Sequence, residues 1–128
     1  MIDPSDPGAA VLQFLSDRHL ATLTTLRRDG SPHVVPVGFS YAPGERAVRI
    51  ISFASSMKAR NAARGGRAAV SQVDGGRWLT LEGSVRLVTD PVGVAAAVEG
   101  YAARYRQPSE RIDRVAIEIQ VDRIMGRA

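Results

Sequence analysis

Cysteine is absent from this 128-residue chain. Disulfides, thiolate metal sites and cysteine nucleophiles are therefore excluded. Histidine is scarce: His19 and His33 are the only two, too few for an imidazole-built zinc site. No apolar run approaches the roughly 20 residues of a membrane-spanning helix. The short apolar stretch at residues 12–15 is flanked by polar residues and does not read as a signal segment. These absences predict a cytoplasmic protein with no metal and no membrane partner. Lysine is the most informative scarcity. Lys58 stands alone among 17 basic residues, and all the others are arginine.

What is present is ordinary for a globular chain. Hydrophobic residues make up 45% of it, enough for one sizeable core at this length. Residues 1–128 read as one domain, with residues 1–7 as a loose leader. The net charge is +4 and the isoelectric point about 10.3, which favours an anionic partner. Nucleic acid would call for a basic stripe or a recognisable module. Here the arginines are scattered from Arg18 to Arg127, with Arg27-Arg28 the only adjacent pair. Nucleic acid is therefore not expected, and a phosphate-bearing small molecule fits the spacing better.

Local patterns give the elements. Ser5-Asp-Pro7 can cap a first helix in which Val11, Leu12 and Leu15 share a face. Turn chemistry then recurs at Arg28-Asp-Gly-Ser31, Ala42-Pro-Gly-Glu45 and Asp74-Gly-Gly-Arg77. Such turns join neighbouring antiparallel strands. Residues 33–41 alternate, with Val35, Val37, Phe39 and Tyr41 on one face. Leu79, Leu81, Val85 and Leu87 share a face in the same way, as do Val115, Ile117, Ile119 and Val121. Residues 21–26 fit a helix or a strand, and their threonines and the Asp-Gly turn that follows favour a strand. A second helix is expected over 57–64, ended by Gly65-Gly66. A third starts at Asp90-Pro91 and carries Val94, Val98, Tyr101 and Tyr105 as a stripe. About six strands with three hairpins predict a mainly β fold with flanking helices, closed or nearly closed into a barrel. Side chains fill so small a barrel, so a ligand belongs on its outside or at a subunit interface.

Lys58 lies in Ala54-Ser-Ser-Met-Lys-Ala-Arg-Asn61, after the strand-like residues 48–53. Hydroxyls at a strand end, followed by a helix rich in Lys, Arg and Asn, make a common phosphate grip. The ammonium brings three donors and the guanidinium a planar fork. The same run serves as the solvated first turn of a surface helix. No nucleophile constellation accompanies it, because the serines lack a G-x-S-x-G setting and neither histidine has an obvious carboxylate partner. No G-x-G-x-x-G or Walker sequence is present. His33 reads as a strand-end polar residue and Glu82 as a solvent-facing carboxylate. Trp78, the only tryptophan, is either core or a platform for a planar heterocycle.

The order of these pieces resembles the flavin-binding split-barrel superfamily that includes pyridoxamine phosphate oxidase. The likeness is carried by Phe14-Leu-Ser-Asp-Arg-His-Leu-Ala21, Thr24-Thr-Leu-Arg27, Ser31-Pro-His-Val-Val35, Val37-Gly-Phe39, Lys58-Ala-Arg-Asn61, Ser71-Gln-Val-Asp-Gly75 and Arg77-Trp-Leu-Thr-Leu-Glu-Gly83. Together these runs are similar to the branch that uses the deazaflavin coenzyme F420, nearest its biliverdin-reducing members. The resemblance implies a six-stranded, FMN-binding-type split β-barrel and a homodimer with two sites at its interface. It implies an oxidoreductase that moves a hydride from reduced F420 to a conjugated small-molecule acceptor, biliverdin being one candidate.

The same resemblance assigns residues. Ser55, Ser56, Lys58 and Asn61 would hold the coenzyme phosphate, with Ser52 and Phe53 flanking it. The deazaflavin ring would lie along His33, Val34, Val35, Pro36, Val37 and Gly38. Gln72 and Trp78 would approach from the same or the partner subunit. A coenzyme that carries the hydride accounts for the missing triad, and no side chain is singled out as catalytic. The chain lacks the Arg-rich phosphate clamp of the FMN enzymes, which places FMN second to F420. An FMN-dependent oxidase-like enzyme and a non-catalytic flavin-, F420- or haem-binding protein are the other readings.

Overall fold

The computed structural model describes residues 2–128. Helix α1 (Ala9–Ser16) precedes β1 (Ala21–Leu26), β2 (Pro32–Val37), β3 (Ser40–Ala42) and β4 (Ala47–Phe53). Helix α2 (Met57–Ala63), β5 (Arg67–Asp74), β6 (Arg77–Val88), α3 (Pro91–Arg104) and β7 (Arg114–Arg127) follow. The strands form one antiparallel sheet in the order β2-β1-β5-β6-β7-β4-β3. Period-two patterning placed its core. Leu79, Leu81 and Val85 on β6 and Val115, Ile117, Ile119 and Val121 on β7 are buried, together with Phe14, Leu23, Phe39 and Ile50. Burying each large apolar side chain contributes roughly 1.5–3 kcal/mol.

The strand count is seven rather than six, because residues 33–41 are not one strand. β2 ends at Val37 and β3 starts at Ser40, and the two lie at opposite edges of the sheet. The chain changes edge at Gly38 and Phe39, and the end of α3 holds the crossing. The Phe39 N–H donates to Tyr105 Oη at 3.2 Å, and that hydroxyl donates to the His19 carbonyl at 2.6 Å. Gly38 leaves room for this contact, since a Cβ there would lie 2.9 Å from the Tyr105 ring. Alternation continues through a bend of this kind, so the period alone did not reveal it.

Helix α3 begins as its sequence indicates, with Asp90 accepting the Gly93 N–H at 2.8 Å and Pro91 in the first turn. Its contact face differs from the expected stripe. Ala97 and Arg104 are its buried residues, while Val94, Val98 and Tyr101 are half-buried. The helix approaches through small residues: a Cβ on Gly100 would lie 2.3 Å from Ser40 Oγ. Ala97 joins Val88 and Ala116 in a second, smaller core.

The leader is not loose, although Met1 lies outside the described residues. Ile2 bridges to Ile124, the Pro4 carbonyl accepts the Tyr41 hydroxyl, and Pro7 is buried. Nor do Ser5 and Asp6 cap α1. Gly8 occupies the cap with no side-chain bond, and Ser5 turns its N–H and hydroxyl to the Asp3 carboxylate.

Candidate functional site

β2 is an edge strand that pairs only with β1. The Arg27 N–H donates to the Ser31 carbonyl at 2.8 Å where the hairpin closes. Antiparallel pairs alternate between bonded and non-bonded, so His33, Val35 and Val37 direct their backbone groups at β1. Pro32, Val34 and Pro36 direct theirs at the open edge. Proline tolerates that position because it has no N–H to lose. Among these three, only Val34 offers an edge N–H, with a carbonyl beside it.

The β4–α2 turn forms the next part. Phe53 ends β4, and Ser56 caps α2 by accepting the Ala59 N–H at 3.2 Å. Ser52 Oγ and Ser56 Oγ lie 2.8 Å apart, both buried. Lys58 is half-buried, with Nζ 5.8 Å from the Phe53 ring centre, and burial holds its pKa below the usual lysine range. Arg111 covers the same ring at 4.0 Å. With Arg114 and Ile51, these residues line a small cavity of about 160 Å³.

His33 connects the two parts. Its Nδ1 is sealed from solvent and has no hydrogen-bond partner. Its pKa is lowered first by burial and then by the positive charges of Arg27 and Lys58, so the ring is neutral at pH 7. Arg27 itself reaches back to the Pro32 carbonyl at 2.5 Å. Arg27, Arg28, Arg60 and Arg64 line a neighbouring cleft of about 620 Å³, with Asp29 its only acid among the described residues. The arrangement is a cationic surface wrapped around an open strand edge, suited to a planar molecule that carries anionic groups.

Two of the residues assigned from the resemblance, Gln72 and Trp78, lie apart from this surface, and Asn61 lines the arginine cleft with its amide spent inside the chain. Asn61 is buried, donates to Thr25 Oγ1 at 3.0 Å and accepts from Arg64 at 2.6 Å, so its amide fastens α2 to β1. Gln72 is 1% exposed. It donates to the Phe14 carbonyl at 3.1 Å and accepts from Arg104 at 2.7 Å, which uses both ends of its amide inside the core. Trp78 pairs with Val73 and Arg127 at the start of β6. His33 sits beside Thr25, toward the opposite rim of the sheet. Ser55 and Val34 are exposed and reachable.

Arg27, Arg111 and Arg114 also belong to this surface, although the sequence did not single them out. The hairpin register could have located Arg27, two residues past the Thr25–His33 pair and next to the last pair, Leu26–Pro32. Arg111 arrives from an irregular connection without any period, so nothing local marked it.

The chain is 52% identical over 117 residues to the F420H(2)-dependent biliverdin reductase of Mycobacterium tuberculosis (strain CDC 1551 / Oshkosh), covering 91% of this chain and 85% of that one. Among solved structures, an F420 reductase shares 27% identity with a TM-score of 0.72, covering 94% of this chain and 98% of its own. A haem storage protein of Vibrio cholerae has the same fold at 14% identity, with a TM-score of 0.74 over 91% of each chain. Residues 8–127 match the profile described as pyridoxamine 5'-phosphate oxidase, and the chain belongs to that family.

Proposed function

We propose that this protein is an F420-dependent reductase whose coenzyme lies along β2 with its phosphate at Lys58. One observation carries the reading. Arg27 and Lys58 flank His33 at the open edge of β2, and neither forms an ion pair among the described residues. Uncompensated cations beside an open strand edge call for an anion. The donor set fits F420. The Val34 N–H and carbonyl suit the amide-like edge of a pyrimidine ring, and Lys58 with Ser55 suits a phosphate. A relative at 52% identity is named for F420H(2)-dependent reduction.

When bound, the reduced coenzyme supplies the hydride, so the chain has little covalent chemistry to perform. Its own work is orientation. The open edge of β2 fixes the ring laterally, and Lys58 anchors the far end. Positioning of this kind is worth several kcal/mol of barrier. The acceptor is a conjugated organic molecule, with biliverdin the first to test.

The same reading makes the protein a homodimer. Leu26, Val34, Val73 and Trp78 are exposed, and strand register puts them on one outer face of β1, β2, β5 and β6, next to Met125 on β7. A patch of this kind on a monomer marks a contact surface. A second copy seated there brings the partner subunit's Trp78 toward a groove that this chain's own Trp78 does not reach.

The test is a binding titration with F420 and with FMN, followed by oxidation of reduced F420 in the presence of candidate acceptors. F420 should bind more tightly, and biliverdin should accelerate its oxidation. Tighter binding of FMN, or no acceptor-dependent oxidation of reduced F420, would overturn the assignment.

A further inference from the structure

The most unusual charge in the molecule lies away from this site. Arg104 is 8% exposed yet forms no ion pair among the described residues. It donates to the Asp17 carbonyl at 2.8 Å, the Phe39 carbonyl at 2.8 Å and Gln72 Oε1 at 2.7 Å. Its guanidinium stands over the Phe39 ring at 4.7 Å and the Tyr105 ring at 5.3 Å. All these partners are neutral. A guanidinium has five N–H donors, and these bonds use one on each nitrogen. One N–H on each terminal nitrogen is left over for a further acceptor.

Among the described residues, Arg104 is also the only charged one lining a cleft of about 630 Å³ between α1, β3 and α3. That size falls within the roughly 300–1,000 Å³ of small-molecule sites. The walls are mainly apolar, with Leu12, Leu15 and Ala103 among them, and Ser40 and Tyr41 at the floor. The Tyr41 hydroxyl is spent on the Pro4 carbonyl. One cation in an apolar cleft matches one negative charge. A dianion would bring a second charge with nothing to balance it.

We propose that the cleft between α1 and α3 binds an amphipathic monocarboxylate, with its apolar body along Leu12, Leu15 and Ala103 and its carboxylate on Arg104. This site is separate from the β2–α2 surface and does not depend on how that surface is read. Occupancy would neutralise Arg104, which ties the ends of α1 and α3 to the Phe39 crossing. A ligand here would therefore stiffen the junction between the two sheet edges.

Calorimetric titration with octanoate, octan-1-ol and octylammonium tests the proposal. Octanoate should bind about tenfold or more tightly than octan-1-ol, as a charge-assisted hydrogen bond requires, and octylammonium should not bind. Ala103→Trp fills the cleft from an exposed position and should abolish octanoate binding while circular dichroism stays unchanged. Arg104→Gln, where it folds, should bind octanoate no better than octan-1-ol. Absence of octanoate binding to the parent protein, equal affinity for octan-1-ol, or undiminished binding by folded Ala103→Trp would each overturn the site. The Ala103 variant decides the question even if Arg104→Gln does not fold.

Discussion

Lys58 Nζ stands 5.8 Å from the centre of the Phe53 ring, and Arg111 covers that ring at 4.0 Å. Two cations on one aromatic side chain repel each other unless an anion joins them. Lys58→Ala should therefore weaken F420 binding about tenfold to a hundredfold, the effect of losing one charge-assisted bond. Lys58→Arg should keep part of the affinity, because charge survives while geometry changes. The loss should shrink in high salt. Affinity of Lys58→Ala within about twofold of the parent in a fluorescence titration would make Lys58 a bystander.

His33 gives a pH signature. Its pKa in the folded chain lies below the ordinary 6.5, because of burial and then Arg27 and Lys58. The unfolded chain thus binds more protons in the window just under that value. Stability is fully present above 6.5, falls as pH drops toward the folded pKa, and levels off below it. His33→Gln should flatten this limb in urea unfolding measured across pH. Adding F420 should raise the His33 titration midpoint, since an anion favours the imidazolium. NMR can follow this directly, with His19 as the internal control. An unmoved midpoint at saturating F420 argues that no anion lies beside His33.

Val73 and Trp78 pair across β5 and β6 on the outer face. Light scattering should report a dimer for the parent protein and a monomer for Val73→Glu, which places a charge in the self-contact. F420 should quench Trp78 fluorescence in the dimer, and the quenching should disappear in Val73→Glu. Quenching that survives in the monomer would mean that the coenzyme reaches Trp78 within one chain.

Arg104→Met removes three hydrogen bonds at once and leaves the Asp17 carbonyl, the Phe39 carbonyl and Gln72 Oε1 without their donor. Buried acceptors stripped of a partner cost about 1–3 kcal/mol each. The expected loss is roughly 3 kcal/mol or more in urea unfolding. A change under about 1 kcal/mol would show that water replaces the guanidinium at little cost.

Much of the fold was legible because its signals are local. Alternation on β6 and β7, the Asp-Gly and Gly-Gly turns and the Asp90-Pro91 start of α3 each follow from the sterics of a few neighbouring residues. Part of the site was legible for the same reason. Ser52, Phe53, Ser56 and Lys58 fall on one strand-to-helix turn, so their proximity is written in consecutive positions.

The sequence by itself thus determined most of the strand segments, where α2 and α3 begin, and that a lone lysine sits at a phosphate-like turn. Only the tertiary structure decided what meets across the sheet. Gln72 and Trp78 lie six residues apart on one hairpin, but one is spent in the core on Arg104 and the other faces outward at a rim. The run 33–41 looked continuous until Tyr105 was found holding Phe39 at the crossing. Arg27, Lys58 and His33 come from different elements and converge only because β2 and α2 both pack beside β1. Periodic preference acts over a few residues along the chain. The placement of distant charges depends on strand order, which collective burial of the core selects.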